Sequence, residues 1–283
     1  MFVEVQHWSG AGNRFVIIDN RKKIFDEQLK TFVPNLCQRK TLPPAEGLLV
    51  LLDIDADKSS CVYDFSNPDG STGVMCGNGA RCAVKYAVEL DKFDRNLIQL
   101  VLNNRVYTAK ILENDHVALS LPLYKELRLF DTWTYVNVGS HHVVLDARDF
   151  LGSIDEFHRF DLVKFAEEKL DFYREQVGIS YLNLNFAYPI ENQSTVHLRT
   201  YENGVFYETQ ACGTGAVSTA ITFYTRNVIS NSKIELIPTS QRPLVVHLQI
   251  GNENSNILGM ILEGDARQDA SASQFDTITR QYQ

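Results

Sequence analysis

Two short stretches carry the residues best placed to do chemistry. "VMCGNGARC" (Val74–Cys82) and "ACGTGAVSTAI" (Ala211–Ile221) each set a cysteine directly before a Gly-x-Gly step, Cys76-Gly77-Asn78-Gly79 and Cys212-Gly213-Thr214-Gly215. Each then runs into a small-residue, apolar stretch of helical period. A cysteine there stands at the mouth of a helix, where the first four N–H groups lack internal partners and the macrodipole adds about half a positive charge. A thiol in that field gains thiolate character, its pKa falling from ~8.5 to about 3.5–7.5 in favourable settings. The flanking glycines let a carboxylate reach bare backbone beside the sulfur. If two such mouths meet one small anion, one thiolate takes a proton from the carbon next to the carboxylate and the other thiol returns one from the opposite face. The stereocentre inverts. Donors aimed at the carboxylate stabilise the enediolate-like charge, and a positioned acid and base add a factor of ~10² to 10⁴. A lone glycine-flanked cysteine reads more readily as a buried small residue; two in matching contexts argue for chemistry. A redox pair between Cys76 and Cys212 requires the same proximity and stays open as an alternative.

Elements must hold these cysteines in place. Ala80, Ala83, Val84, Ala87 and Val88 form an apolar helical face after the first, and Ala216, Val217, Ala220, Ile221 and Tyr224 one after the second. Alternating or β-branched runs predict strands over 14–19, 47–54, 61–67, 97–102, 105–112 and 116–122, then over 133–139, 141–146, 181–190, 195–201, 233–237, 243–250 and 256–264. Further helical pattern lies in "FDEQLKTFVPNLCQR" and "DEFHRFDLVKFAEEKLDFY". Strands, a cysteine-led helix and more strands thus occur twice. This predicts an α+β chain of two similar domains, 1–128 and 129–265, with the tail 266–283 able to return to the first. The boundary is placed in "YKELRLFDT", residues 124–132, and 283 residues suit two cores better than one.

Composition narrows the function. With 44% apolar and 22% charged residues the chain is an ordinary globular type, and no run approaches the ~20 apolar residues that span a bilayer. The N-terminus shows no basic segment before an apolar run, so no signal peptide is expected and a cytoplasmic location is. A net charge of −8 without a Lys/Arg cluster argues against nucleic acid and against an anionic membrane, leaving a small molecule as partner. Five cysteines, an odd number in a chain of cytosolic type, predict thiols rather than a disulfide framework. Their spacing gives no zinc site, and there is no P-loop or strand-borne G-x-G-x-x-G, so neither metal nor cofactor is expected. Pattern does not exclude a pyridoxal lysine, but two thiols make one unnecessary. The oligomeric state is left open, a homodimer included.

Over nearly its whole length the chain resembles the diaminopimelate epimerases, cofactor-independent epimerases of lysine and peptidoglycan synthesis. "GAGNRFVIID" resembles the family's G-x-G-N-D-F element, "FSNPDGSTGVMCGNGARC" its N-x-D-G-S…M-C-G-N-G-x-R-C segment, "YETQACGTGA" its E-T-x-A-C-G-T-G segment, and "GDA" (Gly264–Ala266) its near-terminal motif. The resemblance implies two pseudo-symmetric α+β domains, each a strand barrel around a central helix, with the active site in the cleft between them. It implies Cys76 and Cys212 as base and acid, exchanging roles with direction. Gly77, Asn78, Gly213 and Thr214 would offer backbone N–H groups to the reacting carboxylate. Asn13, Asn67 and Asn183 match substrate-binding asparagines, and His142 and Glu202 match residues that tune the thiols and hold the reacting ammonium. Without the resemblance, Asn13 and Asn67 read as turn formers, His142 as a core or surface histidine and Glu202 as a turn carboxylate.

Three departures bear on substrate. The family's G-N-P-H is Gly139-Ser140-His141-His142, and the loop "NGVFYET" is one residue longer than the commonest form. The family's E-R-G is Glu202-Asn203-Gly204, putting Asn203 where an arginine clamps the carboxylate of diaminopimelate's non-reacting end. An amide does not reproduce a bidentate guanidinium–carboxylate pair, a loss of several kcal/mol (~2–5) in a closed site. Arg14 is an additional cation in the first motif. The expected activity is therefore epimerisation of an amino-acid α-carbon, LL- to meso-diaminopimelate first. The alternatives are a racemase of another amino acid and a redox-switched or non-catalytic binding protein of the same fold.

Overall fold

The computed structural model describes residues 2–23, 31–38, 42–72, 75–204, 206–251 and 256–282. The chain divides into two compact units, residues 1–120 with 264–283, and residues 121–263.

The first unit begins with β1 (Phe2–Gly10), β2 (Asn13–Asp19) and the short α1 (Val33–Cys37). It continues through β3 (Leu48–Asp55), β4 (Ser60–Ser66), α2 (Gly77–Leu90), β5 (Ile98–Leu102), β6 (Arg105–Ile111) and β7 (Val117–Leu121). Of the helix expected over 25–39, residues 25–30 and 39 lie outside the described residues, and within 31–38 the α-helix is Val33–Cys37. β1 and β2 form an antiparallel hairpin. Its two-residue turn has positive φ at both positions, 50° at Ala11 and 96° at Gly12, which suits the twist of the flanking strands. The turn costs roughly 1 kcal/mol at Ala11, where a Cβ crowds the left-handed conformation. β2 and β3 then pair in parallel, β3 and β4 antiparallel, β4 and β5 in parallel, β5 and β6 antiparallel. α2 packs against β1 through β5 and is buried at every residue from Gly77 to Ala87. Gly77, Gly79, Ala80, Ala83 and Ala87 keep the helix slim enough to be enclosed, and its buried polar side chains, Arg81 among them, must find hydrogen-bond partners.

The second unit runs β8 (Glu126–Leu129), β9 (Trp133–Asn137), β10 (His141–Asp146), α3 (Ile154–Arg159), α4 (Leu162–Val177), β11 (Asn183–Pro189) and β12 (Thr195–Glu202). β13 (Tyr207–Thr209), α5 (Gly213–Thr225), β14 (Lys233–Pro238), β15 (Leu244–Ile250) and β16 (Ile257–Gly264) follow. The stretch in which the domain boundary was expected, 124–132, contains β8, which pairs antiparallel with β9. β9–β10 is antiparallel, β10–β11 parallel, β11–β12 antiparallel, β12–β14 parallel and β14–β15 antiparallel. This is the first unit's order of pairings, with α5 in the place of α2 and packed against β9, β10, β11, β14 and β15.

The single helix expected over 155–173 is two helices. Asp161 breaks it, its carboxylate accepting the Lys164 N–H at 3.0 Å as the N-cap of α4, the local bond that makes aspartate a helix starter rather than an interior residue. α3 and α4 cover the sheet with a cluster built on Trp133, Tyr135, Phe157, Leu170, Tyr173 and Phe186. Among the described residues, the counterpart crossover in the first unit carries α1, packed with Val16, Ile18, Leu48 and Phe275. After β16 the chain returns to the first unit as β17 (Arg267–Asp276) and β18 (Gln281–Tyr282). β17 pairs antiparallel with β1.

Candidate active site

At the start of α2, Cys76 is the N-cap. Its backbone is extended and its sulfur accepts the Gly79 N–H at 3.5 Å. Arg81, completely buried, fixes this first turn. Its guanidinium donates to the Gly77 carbonyl at 3.3 Å, the Asn78 side-chain oxygen at 2.9 Å and the Asp265 carbonyl at 3.3 Å. The Asp265 carboxylate in turn accepts the Ala11 N–H at 2.8 Å. The "GDA" segment thus ties the strained hairpin turn to the cysteine-led helix. A hydrogen bond to a charged group is worth about 1.5–3 kcal/mol, more than the strain at Ala11. Asn13 opens β2 next to that turn and is 4% exposed. Asn67, directly after β4, is half-buried, and its amide donates to Ser71 Oγ at 2.9 Å.

At the start of α5, Cys212 is again the extended N-cap, its sulfur accepting the Gly215 N–H at 3.4 Å. Here a polar chain surrounds the thiol. Asn185 anchors it, because Oδ1 accepts from Thr200 at 3.0 Å and Nδ2 donates to the Val143 carbonyl at 3.1 Å, which fixes the amide's orientation. The same Nδ2 lies 3.0 Å from His142 Nδ1. Nδ1 is therefore an acceptor, and the ring's proton resides on Nε2. Nε2 faces Ser140 Oγ at 2.9 Å and Thr214 Oγ1 at 3.0 Å. Thr214 Oγ1 lies 3.4 Å from Cys212 Sγ, so a hydroxyl accepting from the histidine turns its own proton to the sulfur. Gly215 lets this chain close, since a Cβ on it would come within 2.4 Å of Asn185 Oδ1.

Burial sets the protonation states. His142 is enclosed, and desolvation, helped by the neighbouring His141, lowers its pKa to about 3, so the ring is neutral at pH 7. Desolvation raises the Cys212 thiol well above the ordinary value, and the Glu202 carboxylate beside it adds to this. Bonds from Thr214 and the Gly215 N–H work the other way. Glu202 is raised by desolvation and pulled back by its bonds with Thr209, 2.7 Å from Oε1, and Cys212. The bond between the two lowers Glu202 and raises Cys212, which favours the proton on sulfur.

Of the residues singled out in the sequence, Cys76, Gly77 and Asn78 share the first turn of α2. Cys212, Gly213, Thr214, His142 and Glu202 gather at α5. Asn183 and Asn203 are joined, the Asn203 N–H donating to Asn183 Oδ1 at 3.0 Å while Asn183 Nδ2 reaches the His141 carbonyl at 3.1 Å. The sequence reading missed Asn185, Arg81, Asp265 and Arg174. The signal for Asn185 was present, since "NLN" places Asn183 and Asn185 on one face of a strand. Arg81 was also marked, as one of two cations, with Lys85, inside a helix of mostly small and apolar residues.

A family model described as diaminopimelate epimerase matches residues 7–119. The diaminopimelate epimerase of Flavobacterium psychrophilum is 31% identical over 264 residues, covering 93% of this chain and 97% of that protein. The chain belongs to the diaminopimelate epimerase family. Another member, from Aquifex aeolicus, is 29% identical, covering 84% of this chain and 87% of its own. Membership makes the chain an isomerase, an epimerase of amino acids. Solved structures share the fold at low identity. A phenazine biosynthesis protein of the PhzF family from Bacillus anthracis has a TM-score of 0.74 at 12% identity, with 98% of this chain and 99% of that one covered. A hydroxyproline epimerase from Agrobacterium vitis with bound trans-4-hydroxy-L-proline has a TM-score of 0.64 at 12% identity, with 99% and 94% covered. Among the described residues no helix is long and apolar enough to cross a membrane.

Proposed function

We propose that the chain interconverts LL- and meso-diaminopimelate with Cys76 and Cys212 as the two acid–base groups. The observation that carries this reading is the duplicated cap: two buried helices each begin with a cysteine whose sulfur accepts the N–H of the glycine three residues on. Such a cap leaves the next N–H groups for a carboxylate and holds the sulfur beside it. In one direction Cys76 acts as thiolate and breaks the Cα–H bond, the electron pair moving into the carboxylate as an enediolate. Cys212, which stands protonated, then gives its proton to the opposite face of the carbon. Cys76 ends as thiol and Cys212 as thiolate, the reverse direction's starting state, so no external reductant or oxidant enters. His142 acts through Thr214: a neutral ring donating to the hydroxyl directs the hydroxyl proton at Cys212 and steadies its thiolate when it forms. Glu202 holds the thiol proton beforehand.

The test is solvent-deuterium incorporation at Cα, followed by proton NMR on the reduced protein with LL- and meso-diaminopimelate, with Cys76→Ala and Cys212→Ala as controls. Exchange that inverts the centre and is lost in both variants supports the reading. Inversion that survives either substitution overturns the two-thiol mechanism. The second reading, a racemase of another amino acid, rests on Asn203 in the family's arginine position, and exchange confined to a member of an L-amino-acid panel would establish it.

A further inference from the structure

The residue at the family's arginine position is an amide, yet a guanidinium stands beside it. Arg174, in the last turn of α4, donates through Nη2 to the side-chain oxygen of Asn203. α4 packs along β12 and β13, the two strands on either side of Asn203 and Gly204. Its end is fixed, because the Arg174 carbonyl accepts the N–H groups of Gly178 at 2.8 Å and Ile179 at 3.1 Å around the left-handed Gly178. The other side of the turn is also held. A Cβ on Gly204 would come within 2.5 Å of Tyr181 Oη, so that hydroxyl lies directly over the glycine. From Asn203 the chain of bonds runs through Asn183 to the backbone of His141, the neighbour of the histidine in the Cys212 network.

The guanidinium's bonding is incomplete. Nη1 pairs with Asp171 at 2.6 Å, but that carboxylate is 80% exposed, so the pair forms in high dielectric and is readily exchanged. Nε is buried and has no hydrogen-bond partner. A buried, unsatisfied N–H on a cation is costly, and a carboxylate is the group whose two oxygens match the guanidinium fork. We propose that Arg174 is the specificity-determining cation of this chain. It acts across Asn203 on a carboxylate at the non-reacting end of the substrate and replaces an arginine at position 203 with one supplied by a different helix. The inference rests on the epimerase reading above and names what that reading lacks, the group that selects a dicarboxylic amino acid. Arg14, the extra cation noted in the sequence, lies on β2 of the first unit.

Steady-state kinetics on Arg174→Gln and Arg174→Lys would test this, with meso-diaminopimelate as the dicarboxylate and L-lysine, the same skeleton without the distal carboxylate, as comparator in the Cα exchange assay. In Arg174→Gln the KM for diaminopimelate should rise about 10- to 100-fold, the loss of a charge-assisted pair, with kcat within about threefold and lysine exchange unchanged. Arg174→Lys keeps the charge without the fork and should fall between. Melting temperatures check that each variant is folded; should Arg174→Gln not fold, the lysine variant decides. An unchanged KM for diaminopimelate overturns the proposal, as does an equal loss on both substrates, which would mark a structural role. Wild-type exchange on lysine but not on diaminopimelate overturns it and leaves epimerisation standing. Wild-type exchange on no amino acid overturns the epimerase reading itself.

Discussion

The two cysteine-capped helices share a backbone solution and differ in what surrounds it. Both begin on an extended cysteine, and both lie under strands paired in the same order. Five residues after the cysteine, however, α2 carries Arg81 and α5 carries Val217. The first mouth is stabilised from within its helix by a buried cation that collects the Gly77, Asn78 and Asp265 oxygens, and its cysteine is partly exposed. The second is stabilised from outside by Glu202 and Thr209, and by His142 and Asn185, which are linked to the sulfur through the helix's own Thr214, and its cysteine is 7% exposed. One geometry is thus kept while the electrostatics diverge. In the proposed mechanism two equal thiols would compete for the same role, whereas unequal settings would let one start as acid and the other as base.

The largest expected effect separates the roles. Cys76→Ala and Cys212→Ala should each slow inversion by at least ~10²- to 10⁴-fold. Any deuterium exchange that survives should be confined to one configuration of the substrate carbon, opposite for the two variants. Exchange from the same configuration in both would mean that the thiols do not serve opposite faces. Next is the internal cation. Arg81→Ala should destabilise the fold by about 3 kcal/mol or more, because it opens a cavity and strands buried oxygens. Val217→Ala, at the matching position, should cost about 1–2 kcal/mol, a contrast that chemical denaturation measures directly.

The histidine gives a smaller, pH-dependent effect. Its folded pKa lies near 3, below the unfolded value near 6.5. Between these values the unfolded chain binds the extra proton, so stability falls as pH drops, by up to about 1.4 kcal/mol per unit. His142→Gln should flatten the unfolding free energy across pH 3–6.5. The smallest effect belongs to Thr214→Val. Loss of the hydroxyl removes about 1 kcal/mol of support for the Cys212 thiolate. The basic limb of the pH–rate profile should move to higher pH, with kcat falling about tenfold or less.

Much of this was legible from residues alone. The Gly-x-Gly steps fixed where α2 and α5 begin, and β-branched alternation marked the central strands, because backbone freedom and side-chain period are local properties. β1, with Val3 and Val5 buried on alternate positions, carried such a signal and went unread. β17 carried none: "RQDASASQFD" is polar and mostly exposed and becomes a strand only because β1 offers it a row of backbone partners. The split between α3 and α4 turned on one aspartate whose cap was decided by a single backbone bond.

By itself the sequence determined the family, the α+β class, the two thiols and the residue types that neighbour them, since these rest on side-chain identity and short-range spacing. Only the tertiary structure decided which thiol is buried against a carboxylate, which tautomer His142 holds, and that Arg174 reaches Asn203 across 29 residues of chain. Each of those depends on desolvation or on hydrogen bonds between distant segments, and neither is encoded at any one position: a pKa moves when other residues exclude water from a group, and a guanidinium finds its acceptor only after the helix that carries it has packed.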